Sequence, residues 1–393
     1  MPSTSKNDKI NTLLARGVEE VIDRVNLEKK LKSGKKLRIK LGIDPTSPNI
    51  HLGRSIPLLK LKDFQDLGHK VVLIIGDFTG IIGDTSDKES DRPVLSENVI
   101  KNNLKTYIKQ AAKILDIEKS EVYYNSKWLD KLKYRDIGSQ ADQFSLNEFI
   151  SRENISKRLN AGKRVSLREL FYPLMQGYDS VEVKADVELG GTDQRFNLLA
   201  GRALQRFYNQ EPQDIITNPL IEGLDGRKMS SSWGNTVNLF DEPNEMFGKL
   251  MSLKDDYIIR YFILLTRVEL KLIDKYEKDI KEGANPRDYK IKLAHEIVKF
   301  YHSLGDANKA QDYFIKTISN KETPDEMPKI KPSNYDILTV LIESGCINSR
   351  SEGKRVVLQN GVKINKESIN DPLAKVKIGD VVQKGKTFFI KIY

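Results

Sequence analysis

LRIKLGIDPTSPNIHLGRSIPLLKLKDFQDLGHKVVLIIG, residues 37–76, is the stretch whose reading decides the architecture. Residues 37–43 read as a buried strand. Asp44-Pro45 turns the chain, His51-Leu52-Gly53 opens a helix, and 55–68 carries the apolar spacing of that helix. KVVLIIG, 70–76, is a second strand, so nearly continuous in apolar residues that it suits a parallel sheet covered on both faces. Short apolar runs keep alternating with amphipathic stretches to residue 225, and DIITNP, 214–219, reads as a further strand. The region is expected to be α/β, an open, doubly wound parallel sheet with ligands at the C-terminal ends of its strands.

Beyond residue 240 the period becomes helical. In NPRDYKIKLAHEIVKFYHSL, 285–304, Asn285 suits an N-cap and Pro286 the first helical position, while Leu293, Ile297, Phe300, Tyr301 and Leu304 make one apolar stripe. ETPDEMPKIKP, 322–332, spaces three prolines through charged residues and reads as a stiff spacer. The tail, 333–393, starts with helical pattern and ends in strand-like VKI, VVQ and FFIKI separated by glycine turns. It carries ten Lys and Arg against six Asp and Glu.

The chain has 393 residues, enough for two or three domains. Hydrophobic residues make up 39% and charged ones 31%, which excludes a disordered or fibrous chain. The single cysteine, Cys346, excludes a disulfide framework and a cysteine-cluster metal site. No apolar run is long enough to span a bilayer, and MPSTSKNDK has no secretory h-region behind its charges; the expected location is cytoplasmic. A net charge of +10 suits a polyanionic partner, but a solvated lysine-rich surface produces the same number, and composition leaves both readings open.

Four junctions carry chemistry. In the first, His51 at a helix start can donate to a phosphate oxygen, and Gly53 permits close approach of a nucleotide. In the second, DFTGIIGDTSDKESDRPVL (77–95), Asp84, Lys88 and Arg92 recur every four residues and set two cations beside a strand end. In the third, ELGGTDQRFN (188–197), Asp193 can accept from both ribose hydroxyls and Gln194 can bond a polar substrate. The fourth, DGRKMSSSWGN (225–235), sets one lysine beside three hydroxyls and flanking glycines, the composition of a mobile phosphate-seeking loop. Each alone has an ordinary structural explanation: a turn, a solvated charge run, a glycine bend. None has metal-ligand spacing, and neither GxxxxGK[ST] nor GxGxxG occurs.

In order and spacing, however, the chain resembles the class I aminoacyl-tRNA synthetases. Residues 45–54 resemble the HIGH signature and KMSSS, 228–232, the KMSKS signature. Within the class, FYPLMQGYDSVEVKADVELGGTDQ, 171–194, resembles the bacterial tyrosyl-tRNA synthetases. SEGKRVVLQNGVKIN, 351–365, and IGDVVQKGK, 378–386, resemble their S-four-type RNA-binding domain. The resemblance implies a Rossmann-like catalytic domain (1–225), the KMSSS loop with an α-helical anticodon-binding domain (226–322), a linker (323–332) and a small α+β RNA-binding domain (333–393). It implies tyrosine activation with ATP and Mg²⁺ carried by that substrate, tRNA-Tyr as partner, and a homodimer.

Carried over by position, the resemblance makes His51, Lys88, Arg92, Lys228 and Ser231 catalytic. ATP would meet Asp44, Pro45, Thr46, His51, Gly53, Arg54, Gly191, Asp193, Lys228, Met229, Ser230, Ser231 and Ser232. Tyrosine would meet Asp84, Tyr172, Gln176, Asp179 and Gln194, with Asp179 accepting from the phenol. RNA would meet Arg350, Lys354, Arg355 and Lys363. Three positions depart from the pattern. Arg54 replaces the second histidine of HIGH, Ser231 replaces a second lysine, and Lys40 stands where several tyrosyl enzymes set a tyrosine against the phenol. Two other readings stay open on the sequence: tryptophan activation on the same scaffold, and an RNA-binding protein that keeps a synthetase shell without catalysis.

Overall fold

Six strands, β1 (Glu20–Ile22), β2 (Arg38–Ile43), β3 (Lys70–Ile75), β4 (Glu121–Tyr124), β5 (Val187–Gly191) and β6 (Asp214–Asn218), form one sheet in the order β1-β6-β5-β2-β3-β4. All neighbours pair in parallel except β1, which runs antiparallel to β6. The computed structural model describes residues 5–84, 95–319, 327–385 and 388–393. Sequence order runs outward one way through β2, β3 and β4 and the other way through β5 and β6. The reversal between β2 and β5 leaves a crevice at the strand ends, where such sheets bind ligands.

The residues explain the arrangement. Residues 71–75 are at most 1% exposed; each such aliphatic side chain contributes about 1.5–3 kcal/mol relative to an exposed one. Helix Leu52–Asp66 connects β2 to β3 and buries Leu52, Ile56, Leu58, Leu59, Leu61 and Phe64. Helix Leu167–Glu182 lies against helix Arg195–Phe207. Gly177 makes that approach possible, since a Cβ there would stand 3.1 Å from the Ala200 carbonyl.

Two compact units emerge: Met1–Asp241 with Leu253–Leu293, and Glu242–Ser252 with Ala294–Tyr393. The division falls inside helix Pro286–Tyr301. Asn285 begins that helix as expected, its Oδ1 accepting from Arg287 N at 3.0 Å. The apolar stripe is shorter than the sequence suggests. Leu293, Ile297 and Tyr301 are buried, but Phe300 is 36% exposed and Leu304 57% exposed. Ser303 caps a new helix, Leu304–Phe314, with its Oγ accepting from Asp306 N, so the periodic run spans two helices and not one.

In the second unit, strands β7 (Lys329–Ile330), β8 (Val362–Ile364), β9 (Glu367–Ile369), β10 (Val381–Lys384) and β11 (Phe388–Ile392) form a sheet ordered β7-β11-β10-β8-β9. Two helices, Ile337–Glu343 and Arg350–Leu358, supply Ile337, Leu338, Val340, Leu341 and Val357 to its core. β7 lies in the stretch that reads from sequence as spacer, and it pairs in parallel with β11. Among the described residues, no helix is long and apolar enough to cross a membrane.

Candidate active site

The crevice between β2 and β5 opens into a cleft of about 260 Å³. The signature loop, the end of β5, helix Leu167–Glu182 and the KMSSS loop all line it. Asp44, immediately after β2, is fixed from two sides: Thr79 Oγ1 donates to its Oδ1 at 2.7 Å and Tyr172 OH to its Oδ2 at 2.9 Å. Gly76 is obligatory here, because a Cβ would stand 2.0 Å from Asp44 Oδ1. Gly191 is equally constrained, its Cβ falling 2.3 Å from Asp193 Oδ1.

His51 is the N-cap of helix Leu52–Asp66 and is buried, with Nδ1 accepting from Arg54 N at 3.3 Å. Burial first, then the neighbouring Arg54 and Lys228 charges, push its pKa down to about 3. The imidazole is therefore neutral, and with Nδ1 occupied as acceptor the proton sits on Nε2, the form that donates to an anion. Gly53 N donates to Met229 Sδ at 3.2 Å, seating the KMSSS loop on the signature helix. Thr46, Gly53, Arg54, Met229, Ser230, Ser231 and Ser232 all line the cleft, and Ser231 Oγ lies 3.5 Å from Ser47 Oγ. Pro45 does not line it. Its carbonyl accepts from the buried Asn103 Nδ2 at 2.8 Å, which anchors the loop to helix Glu97–Ala111. Arg54, in the place of a second histidine, bridges Thr46 Oγ1 (2.9 Å) and Tyr107 OH (2.7 Å).

Helix Leu167–Glu182 places Tyr172, Gln176 and Asp179 at spacings of four and three, one face toward the cleft. Asp179 is 3% exposed, which rules out a helix-surface carboxylate. Trp128 Nε1 donates to its Oδ1 at 2.7 Å and Asn125 Nδ2 to its Oδ2 at 3.3 Å. Burial raises its pKa to about 7, opposed by the nearby Lys40 charge and by those two hydrogen bonds. Asn125 also donates to Thr79 Oγ1 at 2.9 Å, so a hydrogen-bonded line runs from Asp44 through Thr79 and Asn125 to Asp179. Burial, with the nearby Asp44, holds the Tyr172 phenol protonated. Asp84 accepts from Gln194 Nε2 at 3.2 Å and Asn197 Nδ2 at 3.4 Å. Asp193 pairs with Lys228 at 2.9 Å. Lys88 and Arg92 lie outside the described residues.

Lys40 does not face the cleft; it is fully buried behind helix Leu167–Glu182 and bonded to Glu188, Gln176 and Ser180. Sequence reasoning also passed over Trp128, Asn125, Thr79 and Tyr107. The only signal was position: Thr79, Asn125 and Trp128 follow β3 and β4 at the edge where a parallel sheet gathers its ligands. In the second unit Arg350, Lys354 and Arg355 are exposed on one helix and Lys363 is half-buried on β8. Arg350 bonds Asp336 Oδ1 at 3.1 Å.

The model of the class I tRNA synthetases (W and Y) matches residues 32–319, and that of the S4 domain matches 337–382. The tyrosine–tRNA ligase of Thermotoga maritima is 46% identical over 385 residues, covering 97% of this chain and 96% of the relative. That of Carboxydothermus hydrogenoformans is 46% identical over 396 residues, with the same coverage of each. With such identity over nearly its whole length, the chain belongs to the tyrosine–tRNA ligase family of class I synthetases. Its fold is similar to that of the Archaeoglobus fulgidus tyrosyl-tRNA synthetase complexed with L-tyrosine (TM-score 0.63, 23% identity, 78% of this chain and 100% of that one). It is similar also to a C-terminally truncated mitochondrial tyrosyl-tRNA synthetase of Aspergillus nidulans (TM-score 0.66, 22% identity, 77% and 92%).

Proposed function

We infer that the chain is a tyrosine–tRNA ligase, which activates L-tyrosine with ATP to tyrosyl-adenylate and pyrophosphate and then transfers tyrosine to the 3′ end of tRNA-Tyr. The observation that carries this is Asp179: a buried carboxylate lining the cleft, held by Trp128 and Asn125, on the same helix face as Tyr172 and Gln176. Such a group accepts a phenol hydrogen bond and rejects a ring that lacks one, because its lone pairs would be left unmatched. Tryptophan activation is disfavoured, since an indole N–H is placed differently on its ring.

The tyrosine carboxylate is already ionised and needs no base to attack the α-phosphorus in line. Catalysis then consists of holding the two reactants and meeting the charge that grows on the leaving pyrophosphate. The His51 Nε2–H and Lys228 serve that charge, together with Lys88 and Arg92. Asp193 and Gly191 take the ribose, and Thr46, Gly53, Arg54 and residues 229–232 line the rest of the nucleotide's path. Asp84, Tyr172, Gln176 and Gln194 surround the ammonium group. Mg²⁺ arrives with the ATP phosphates as part of the substrate.

The catalytic domain is taken as 1–225, the helical anticodon-binding part as 226–322, the linker as 323–332 and the RNA-binding domain as 333–393. Arg350, Lys354, Arg355 and Lys363 contribute to the basic surface for tRNA. A cytoplasmic homodimer is the form in which such an enzyme works. The test is ATP–pyrophosphate exchange with single amino acids. Exchange with tyrosine, and none with tryptophan or phenylalanine at equal concentration, is expected; exchange with tryptophan instead, or with no amino acid, overturns the reading.

A further inference from the structure

Lys40 and Glu188 are register partners on β2 and β5, the two strands that flank the reversal of the sheet. Neither has any exposure, and Nζ lies 2.8 Å from Oε1. Lys40 also donates to the Gln176 carbonyl oxygen at 2.8 Å and to Ser180 Oγ at 2.7 Å. The Glu188 carboxylate accepts from Gln176 Nε2 at 3.0 Å and Ser180 Oγ at 3.1 Å, and from Gln213 Nε2. Gln176 and its helix neighbour Asp179 line the cleft; Lys40 and Glu188 do not.

Stability alone does not account for such a pair. Two ions removed from water recover their desolvation through excellent geometry, and apolar residues of like volume hold a core as well or better. What only an ion pair supplies here is polarity of a fixed sense. A carboxylate bound to a lysine accepts and never donates, so the amide facing it must present its nitrogen. Gln176 Nε2 is thereby committed to Glu188, and the amide oxygen is left as its group for a donor in the cleft. An amide beside an apolar or neutral neighbour has no such preference between its two orientations.

We propose that the Lys40–Glu188 pair is a positioning device for substrate recognition: it fixes the Gln176 amide with its oxygen toward the cleft, where that oxygen receives the α-ammonium group of the amino acid. The inference deepens the tyrosine-activating reading and rests on it. Lys40 thus serves the substrate from behind the helix, where the family resemblance sets a side chain against the phenol.

The test is the double variant Lys40→Met/Glu188→Gln, which removes both charges while keeping volume. Two quantities are read in pyrophosphate exchange: the KM for tyrosine, and the inhibition constant of 3-(4-hydroxyphenyl)propionate, which is tyrosine without its ammonium group. Read well above the Asp179 pKa of about 7, where that carboxylate stays ionised without the Lys40 charge, a rise of about tenfold in tyrosine KM is expected, the size of one lost hydrogen bond to a charged group, with the desamino inhibitor and the KM for ATP unchanged. An equal loss for tyrosine and inhibitor would reveal a general collapse of the pocket and overturn the proposal, as would an unchanged tyrosine KM. If the double variant does not fold, Ser180→Ala, which removes one hydroxyl bonded to both ions, decides by the same two readings; about a twofold to threefold rise confined to tyrosine is expected. Failure of the unaltered enzyme to exchange with tyrosine would strike at the functional reading and not at this pair.

Discussion

Lys228 Nζ and Asp193 Oδ2 stand 2.9 Å apart, joining the KMSSS loop to the end of β5. One member suits a phosphate and the other a ribose, so a nucleotide that engages both must loosen their mutual hold. The separation is cheap: both side chains are part-exposed, and such pairs contribute about 0–1 kcal/mol. A lysine moved onto charge that develops in the transition state stabilises it far more, by about 2.7–4 kcal/mol.

Lys228→Ala is therefore expected to slow tyrosyl-adenylate formation by about 10²–10³-fold while leaving tyrosine binding unchanged. Single-turnover kinetics and equilibrium binding of tyrosine separate the two effects. Equal losses in both would assign Lys228 to the architecture of the cleft.

Arg54 turns a departure from the signature into a tether. With Thr46 Oγ1 on one Nη and Tyr107 OH on the other, it ties the loop after β2 to helix Glu97–Ala111, where Tyr107 is 1% exposed. Tyr107→Phe leaves that nitrogen with only the long contact to the Asp44 carbonyl oxygen, at 3.5 Å. It is expected to lower unfolding free energy by about 1–3 kcal/mol and to raise the KM for ATP more than that for tyrosine. Denaturant unfolding and the two KM values check this, and a variant equal to the parent in all three would show that the tether holds nothing.

The same side chain illustrates what the chain's one-dimensional pattern conveys. The strand, turn and helix of residues 37–76, the cap at Asn285 and the three loop junctions that lie within the described residues are local, and each is legible because periodicity and capping act over a few residues. Asn125 enters the cleft, and Tyr107, Trp128 and Glu188 reach residues that line it, only through strand register and helix packing. Tyr172 reaches Asp44 across 128 residues of chain, a distance no motif spans. Lys40 shows the same limit: it stands where similar enzymes set a tyrosine against the phenol, whereas its register partner Glu188 holds it behind the helix. β1 and β7, strands of three and two residues, are too short to show alternation in the sequence.

Asp179 should make recognition of the substrate ring depend on pH. Burial lifts its pKa from 3.8 to about 7 against the pull of Lys40, Trp128 and Asn125. Above that value the carboxylate accepts from the phenol; below it, a carboxylic acid sets its own proton among groups that already donate. The KM for tyrosine is accordingly expected to fall, and preference over phenylalanine to grow, as pH rises from 6 to 8. Stability carries the opposite sign. The folded pKa lies above the unfolded one, so between about pH 4 and 7 the unfolded chain gives up this proton while the folded protein keeps it, and the group's contribution to stability falls as pH rises. Asp179→Asn should remove both trends together, with weakened discrimination at every pH. Pyrophosphate exchange with tyrosine and phenylalanine at pH 6, 7 and 8, alongside denaturant unfolding at the same pH values, reads both. Tyrosine recognition that strengthens toward acid pH, or a pH trend that survives in the asparagine variant, would assign the phenol to another group.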